Sequence, residues 1–340
     1  MKYENMNNEA IYDSSKTTKV KINTVLSRDE ISHFTRRSDA MGVWAISSVW
    51  LAIALIFALM AWATTQTFWL QAPLLLLAVL LLGGRQLALA ICMHEATHRT
   101  LFATRRLNDE LVDWLCARPL GIDLFKYREH HFIHHTMTGT AEDSDISLIE
   151  GLPTTRTSLG RKFARDLLGI TGLKFLFGRF LMDAGLLKWT VATHLEWLPR
   201  RSFMHHMVCL VRNATPTLLT NLALFYALSV LGYSELYWAW VIAYIIPYPL
   251  FIRIRALAEH ACTARTLDMF SNTRTTRAGL LARVFVAPLN VNYHIEHHAL
   301  ASAPWHRLPE LYRLLLERQI VNPAPSYWDV MSIVSSGKPS

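Results

Sequence analysis

Four long apolar stretches alternate with polar segments along the chain. The first two stretches cover about residues 41–62 and 68–91, and the other two cover about residues 216–232 and 236–254. A helix crosses the hydrocarbon core of a bilayer, which is roughly 30 Å thick, with about twenty predominantly apolar residues. The pattern therefore predicts four transmembrane helices in two consecutive pairs, and not the buried strands of a soluble protein.

The distribution of basic residues predicts how these helices are oriented. The connection within each pair of spans carries no Lys or Arg, whereas the segments beside the other span ends carry many. Lys and Arg are enriched in cytoplasmic loops. We therefore expect a multi-pass protein of a bacterial inner membrane or the endoplasmic reticulum, with both termini cytoplasmic. Its predicted parts are a cytoplasmic N-terminal segment (1–40), a membrane domain (41–312), and a C-terminal helix end and tail (313–340).

Three shorter patterns predict local structure. Ser27 and Glu30 have the spacing of a capping box at the start of a helix. Between residues 159 and 189, apolar residues are interleaved with Lys and Arg, as in helices that lie in the membrane interface. Pro247 and Pro249 predict a kink in the fourth span, because proline removes a helical hydrogen bond.

Composition and charge agree with a membrane protein. Hydrophobic residues make up 52% of the 340-residue chain, and the net charge is +8. The basic residues flank apolar runs instead of forming one polar patch with interleaved aromatic residues, so the charge fits anionic lipids and an acidic protein partner, and not nucleic acid. No C-x-x-C pair is present. We expect buried, unpaired thiols at the four cysteines, Cys92, Cys116, Cys209 and Cys262.

Three histidine clusters carry the candidate chemistry. They are His94-Glu-Ala-Thr-His98, His130-His131-Phe-Ile-His134-His135 and His294-Ile-Glu-His297-His298. Separations of three and four residues place side chains on one face of a helix, so each cluster predicts a helical metal-binding face. Imidazole is a common metal ligand, and four ligands complete a zinc site. The eight clustered histidines other than His130 therefore predict two metal ions.

The order and spacing of these clusters resemble the histidine boxes of the membrane fatty acid desaturase family. The resemblance runs from about residue 41 to residue 312, and it includes two flanking pairs, Tyr127-Arg128 and Asn292-Tyr293. It implies an all-α integral membrane protein in which four transmembrane helices carry a cytoplasmic helical cap with a histidine-rich di-metal site. It also implies two iron ions as cofactors and dioxygen as co-substrate.

The resemblance further implies which residues bind the metals. In the family, one more histidine after the last span completes the ligand set, and His260 fits that position. Relatives place a water-mediated asparagine ligand one helical turn earlier, where this chain has Ala256, so that ligand is missing or comes from elsewhere, for instance Asn290 or Asn292. The implied metal ligands are His94, His98, His131, His134, His135, His260, His294, His297 and His298.

Several neighbouring residues allow more than one interpretation. The acidic side chains of Glu142, Asp143 and Asp145 either orient ligating imidazoles through the second ring nitrogen or belong to a solvated loop. The role of His130 stays open. We expect a solvated or interfacial position, outside the metal site, for His33, His194, His205 and His206.

The activity that the resemblance implies is an oxygen-dependent desaturation of a fatty acyl or lipid chain. Oxidising an unactivated alkyl chain requires a metal and dioxygen, because no side chain is a strong enough oxidant. The sequence has no His-Pro-Gly-Gly, iron–sulfur cysteine pattern or dinucleotide fingerprint. Electrons are therefore expected from a separate carrier of the ferredoxin, rubredoxin or cytochrome b5 type.

Two alternatives remain open at this point. Identical ligands would serve a di-iron hydroxylase or ketolase that acts on a sphingolipid, an alkane or a carotenoid. A membrane hydrolase or receptor with histidine-bound zinc is the second alternative, since imidazole suits both metals. Oxygen retained in the product would indicate the first alternative, and zinc without dependence on oxygen or reductant would indicate the second.

Overall fold

The computed structural model describes residues 22–337. Within that range the fold is all-α, as predicted, and the only β structure consists of three isolated bridges. The predicted N-terminal segment and C-terminal tail extend into residues 1–21 and 338–340, which lie outside the described residues. The helices are α1 (Arg28–Phe34), α2 (Asp39–Ala63), α3 (Phe68–Thr97), α4 (Leu124–Met137), α5 (Arg156–Leu167), α6 (Ile170–Asp183), α7 (Phe203–Val230), α8 (Tyr237–Ile245), α9 (Pro247–His260), α10 (Leu280–Phe285), α11 (His294–Ala299), α12 (Leu308–Glu317) and α13 (Tyr327–Val334).

Three helical segments of the described chain are long and apolar enough to cross a membrane. They are Arg28–Ala63, Phe68–Thr97 and Ser234–His260, and they contain the first, second and fourth predicted spans. The third predicted span lies in α7, which is 28 residues long but less apolar, because asparagine and threonine residues interrupt its apolar run. Length and hydropathy thus support three of the four predicted spans.

The last of these segments is broken in the middle. Ile246 separates α8 from α9 with φ −107° and ψ −75°, and Pro247 begins α9. The predicted kink is therefore confirmed, and its cause is the proline ring, which cannot follow a regular helical turn. The break lets α9 approach α3 closely at Gly83, where an added Cβ would lie 2.7 Å from Cγ of Pro247.

The main apolar core lies between the long helices. Ile53 of α2, Leu82 of α3 and Trp240 of α8 are all almost completely buried there. One polar side chain, Gln86, is also buried in this core, and its Nε2 donates a 2.8 Å hydrogen bond to the carbonyl of Trp240. This bond pairs the Nε2 donor and joins α3 to α8, whereas Oε1 of the same amide is buried without a partner among the described residues.

The N-terminal helix packs on the C-terminal part of the described chain. Phe34 of α1 lies in a second apolar cluster with Leu311 and Leu315 of α12. The predicted capping box is confirmed, since Ser27 and Glu30 exchange hydrogen bonds at the start of α1. Helix α1 therefore packs against α12.

The prediction for the cysteines was partly wrong. All four thiols are free, and Cys92 and Cys116 are buried in the main core. Cys209 and Cys262 are only partly buried. Cys209 lies on the N-terminal part of α7, and Cys262 lies in the loop that follows α9, where neighbouring side chains cover less of the surface.

Candidate metal centre

The ends of four helices bring the histidine clusters together. The first cluster ends α3, with His94 in the last turn and His98 as the residue that caps the helix. The second lies within α4 and the third within α11, so the predicted helical placement is confirmed for both. His260 is the last residue of α9.

Arg128 fixes the second cluster against the first. Its guanidinium donates to the carbonyls of Ala96 and Thr97 at 3.0 Å, where the C-terminal end of α3 leaves carbonyls without helical partners. The same guanidinium binds Asp109 at 2.6 Å. Arg128, one member of the flanking pair Tyr127-Arg128, thus joins α4 to α3.

The clustered imidazoles form two adjacent groups. In each group, every histidine offers one nitrogen that lies within 4.8 Å of the corresponding nitrogens of the others. The five-histidine group consists of His94, His98, His131, His135 and His297. The four-histidine group consists of His134, His260, His294 and His298. Together they contain all nine residues that the resemblance implies as ligands.

Helical spacing explains how the histidines divide between the groups. In α4, His131 and His135 are four residues apart and belong to the five-histidine group, whereas His134 belongs to the other. In α11 the pattern is reversed, because His294 and His298 belong to the four-histidine group and His297 crosses to the five-histidine group. On a helix, residues four apart lie nearly above one another, whereas adjacent residues point in directions about 100° apart. The histidine directly before the second member of such a pair therefore points away from that member. Both helices therefore contribute to both groups.

The ring nitrogens are arranged as metal ligands would be. Nε2 of His131 lies 2.9 Å from Nε2 of His98, and Nε2 of His294 lies 2.8 Å from Nε2 of His260. Within the described chain, both ring nitrogens of His94 are buried without a hydrogen-bond partner. Buried polar atoms usually have a partner, so an imidazole without one fits a ligand that binds a metal ion through one of its nitrogens.

Burial keeps most of these imidazoles neutral. It is the main cause that lowers the pKa of His131, His135 and His297 well below the usual value, and neighbouring imidazoles add to the effect. Burial likewise lowers the pKa of His98 to about 3. A neutral imidazole presents the lone pair that a metal ion requires.

His134 differs from the other members because a carboxylate holds it. Its Nδ1 lies 2.8 Å from Oδ1 of Asp143, and both side chains are buried. Burial acts to lower the pKa of His134, but the hydrogen bond to Asp143 and the charges of Asp145 and Asp143 outweigh burial and raise that pKa. This contact leaves Nε2 free to face the group, as in metal sites where a carboxylate orients the ligating imidazole.

His130 has a partner in the same acidic loop. Its Nε2 lies 2.7 Å from Oδ1 of Asp145. Burial acts to raise the pKa of Asp145, but this hydrogen bond and the charges of His134 and His130 lower it to about 2. Glu142, in contrast, is exposed. Each interpretation of the acidic loop therefore applies to part of it. Asp143 and Asp145 contact imidazoles, and Glu142 is solvated.

Three buried glutamates beside the histidines were missed in the sequence. Glu95 accepts 3.0 Å hydrogen bonds from Thr100 and from the backbone N–H of Trp305. Glu296 accepts a hydrogen bond from Thr275, and burial raises its pKa to about 7 despite that bond. The third is Glu259, next to His260. Each of the three glutamates directly adjoins a histidine of the site, and this position in the sequence could have indicated them.

The two asparagines named above as substitutes for the family's asparagine have other partners. Asn290 donates to the carbonyl of Trp305, and Asn292 donates to the carbonyl of Thr276 at 2.8 Å. These contacts give no support to the expectation that either asparagine replaces the missing ligand. Ala256 lines a cavity beside the four-histidine group.

The remaining predicted positions agree with the structure. His33 lies at the surface, 2.9 Å from Glu310, and His194 is exposed beside Glu150. His205 and His206 lie at the start of α7, outside both histidine groups.

A cavity of about 150 Å³ adjoins both histidine groups. It is lined by His131 of the five-histidine group and by His134, His260 and His294 of the four-histidine group. Apolar side chains of α3 and α9 also line it. Residues of two candidate spans therefore line the same cavity as the histidines of the candidate metal centre.

Comparison with known proteins gives consistent matches. The family model described as fatty acid desaturase matches residues 69–330. The chain is 26% identical over 272 residues to the dihydrorhizobitoxine desaturase of Bradyrhizobium elkanii, covering 78% of this chain and 74% of that protein. It is 24% identical over 253 residues to a sphingolipid delta(4)-desaturase of Drosophila melanogaster, covering 71% of this chain and 66% of that protein.

Proposed function

The chain belongs to the fatty acid desaturase family, and from this premise we propose that it is an oxygen-dependent di-iron desaturase that introduces a double bond into a fatty acyl or lipid chain. One observation carries the proposal, namely the convergence of nine histidines from four helices into two adjacent groups. Nine imidazoles exceed what one metal ion binds, which supports two ions.

The two groups would each hold one iron ion, through the nine histidines that form them. Bound iron, together with dioxygen and external electrons, would supply the oxidation of an unactivated C–H bond that no side chain provides. Burial favours the neutral form of most of the ligating imidazoles, among them His131 and His297. The protein also holds His134 in one orientation through Asp143. The adjoining cavity would place the substrate against both groups and exclude water from them.

We propose four membrane spans with the helical cap and both termini on the cytoplasmic side. The third span would be the C-terminal part of α7. Its Leu218, Leu222 and Tyr226 are 58%, 59% and 71% exposed, which is an unusually apolar face for contact with water and fits contact with lipid. With α2, α3 and the α8–α9 segment as the other spans, all three histidine boxes lie on the same side.

Electrons would come from a separate protein of the ferredoxin, rubredoxin or cytochrome b5 type. The net charge of +8 favours an acidic carrier, because complementary charge accelerates association.

The test is metal analysis followed by turnover. Protein purified in lipid nanodiscs without added metal is expected to contain about two iron ions per chain. With a reductant, oxygen and lipids from the host, the product is expected to lack two hydrogens of the substrate. Oxygen from labelled O₂ retained in the product would identify a hydroxylase or ketolase instead. Zinc, with no consumption of oxygen, would overturn the proposal in favour of a hydrolase or receptor.

A further inference from the structure

The side chains that line the cavity beside the histidine groups are of two chemical kinds, called here its apolar wall and its charged wall. One wall is apolar and includes Leu87 and Met93 of α3 and Ile252 of α9. The charged wall contains the histidines, Arg255 and three carboxylates, those of Asp143, Asp145 and Glu259. Its volume of about 150 Å³ is roughly half of the lower limit for ordinary small-molecule sites, about 300 Å³. The cavity therefore accommodates a short molecule, or a short part of one.

Arg255 is the only Lys or Arg among the described residues that line this cavity. It lies in α9, and its side chain is 17% exposed. Its Nε donates a 2.8 Å hydrogen bond to Oε1 of Glu259, whose Oε2 is 3.6 Å from Nε2 of His294. Glu259 thus links the guanidinium of Arg255 to His294 of the four-histidine group.

Most of the hydrogen-bonding capacity of this guanidinium is unused. An arginine side chain has five N–H donors in a rigid fork. In the described chain the bond from Nε to Glu259 is the only hydrogen bond that the Arg255 side chain makes. Its two terminal nitrogens therefore remain available to a molecule in the cavity.

The acidic side chains of the same wall are already engaged. Asp143 is bound to His134, and Asp145 is bound to His130. Glu259 accepts from Arg255 with one oxygen. Among the charged groups that line the cavity, Arg255 alone has several free N–H donors, so it is the group that an anionic part of a ligand would contact.

We infer that Arg255 binds the carboxylate of the substrate, so that the carbon to be oxidised lies only a few bonds from that carboxylate. This inference rests on the proposed function and narrows its substrate class to a short carboxylic acid. The planar guanidinium fork matches a carboxylate in a bidentate arrangement, and the small cavity leaves little space for a long chain beyond it. The apolar wall accommodates the short alkyl part.

The first experiment is a binding series with matched ligands and the wild-type protein as it is purified in nanodiscs. Labelled octanoate, octanol, octylamine and octyl phosphate share one alkyl chain and differ in the head group. Octanoate is expected to bind about 10- to 100-fold more tightly than octanol, as hydrogen bonds to a charged group imply. Equal binding of octanoate and octanol would overturn the inference, and tighter binding of octyl phosphate would overturn the assignment of a carboxylate.

The second experiment uses two arginines of the same helix. Arg255→Gln is expected to weaken octanoate binding by about 10- to 100-fold and to leave octanol binding and iron content unchanged. The control is Arg253→Gln, since Arg253 pairs with Asp166 and does not line the cavity. It should preserve the preference for octanoate. Equal weakening of octanoate and octanol in Arg255→Gln would show that Arg255 only supports the structure.

The position of the new double bond separates this inference from the proposed function. Any octanoate product is expected to be unsaturated within a few carbons of the carboxylate. Desaturation far from a carboxylate, with no dependence on Arg255, would overturn the inference and leave the proposed function intact. Absence of iron or of any oxidation would overturn the proposed function, whereas the binding series would still decide the role of Arg255.

Discussion

Asp143 shows how a single residue outside the metal groups controls one of them. Its carboxylate holds Nδ1 of His134 at 2.8 Å in a buried position. Asp143→Asn is expected to weaken iron binding by about 10- to 100-fold, because the imidazole loses the partner that orients it. Iron content after dialysis against a chelator measures this loss. Glu142→Gln is the control, since Glu142 is an exposed residue of the same loop, and an equal loss in both variants would contradict the role given to Asp143.

Single histidines of the two groups are also expected to be essential. His134 belongs to the four-histidine group, and His297 belongs to the five-histidine group. Replacing either by Ala is expected to abolish turnover and lower the iron content, while membrane insertion is preserved, because insertion depends on the apolar helices. Product analysis and membrane fractionation measure these effects. His205→Ala, outside both groups, should retain turnover, and full activity of either ligand variant would argue against the site.

At the scale of elements, the close approach of α3 and α9 makes a prediction about stability. A Cβ at Gly83 would lie 2.7 Å from Pro247, so Gly83→Ala is expected to destabilise the protein by about 1–3 kcal/mol, as overpacking does. Gly160→Ala in α5 is the matched control, because an added Cβ there meets no atom of the described chain within 4 Å. That variant should gain up to about 1 kcal/mol from helix propensity. Thermal unfolding of both variants measures the difference, and equal melting temperatures would contradict the packing described.

The helices could be predicted better than their contacts. The spacing of the second histidine cluster indicated a helix, and α4 is one. The prolines indicated the break at Ile246. The division of histidines into five and four could not be predicted, because it depends on how α4 and α11 face each other across the site. The pairing of Arg255 with Glu259 was missed for a different reason, since a four-residue separation on a helix is common and does not by itself indicate a site.

At the scale of the whole molecule, the buried imidazoles make the metal-free protein sensitive to acid. Burial lowers the pKa of His98 to about 3 and also lowers that of His131 and His297. Histidines of the unfolded chain bind protons below about pH 6.5, whereas these buried ones stay neutral. The unfolded state therefore binds more protons, and each such histidine costs up to about 1.4 kcal/mol of stability per pH unit as the pH falls.

The melting temperature of metal-free protein is accordingly expected to fall between about pH 7 and pH 5. His131→Phe should reduce this dependence, since it removes one of the buried titratable groups. A melting temperature that stays constant or rises over the same interval would show that these imidazoles are protonated in the folded protein.

The sharing of α4 and α11 between both histidine groups has a consequence for how the centre is filled. The first ion to bind would immobilise side chains on two helices that also carry ligands for the second ion, so the second would bind with a smaller entropic cost. Uptake would then be cooperative, and half-filled chains would be scarce. When iron is limiting, a population of this protein would divide into empty molecules and fully assembled ones, with few intermediates between them.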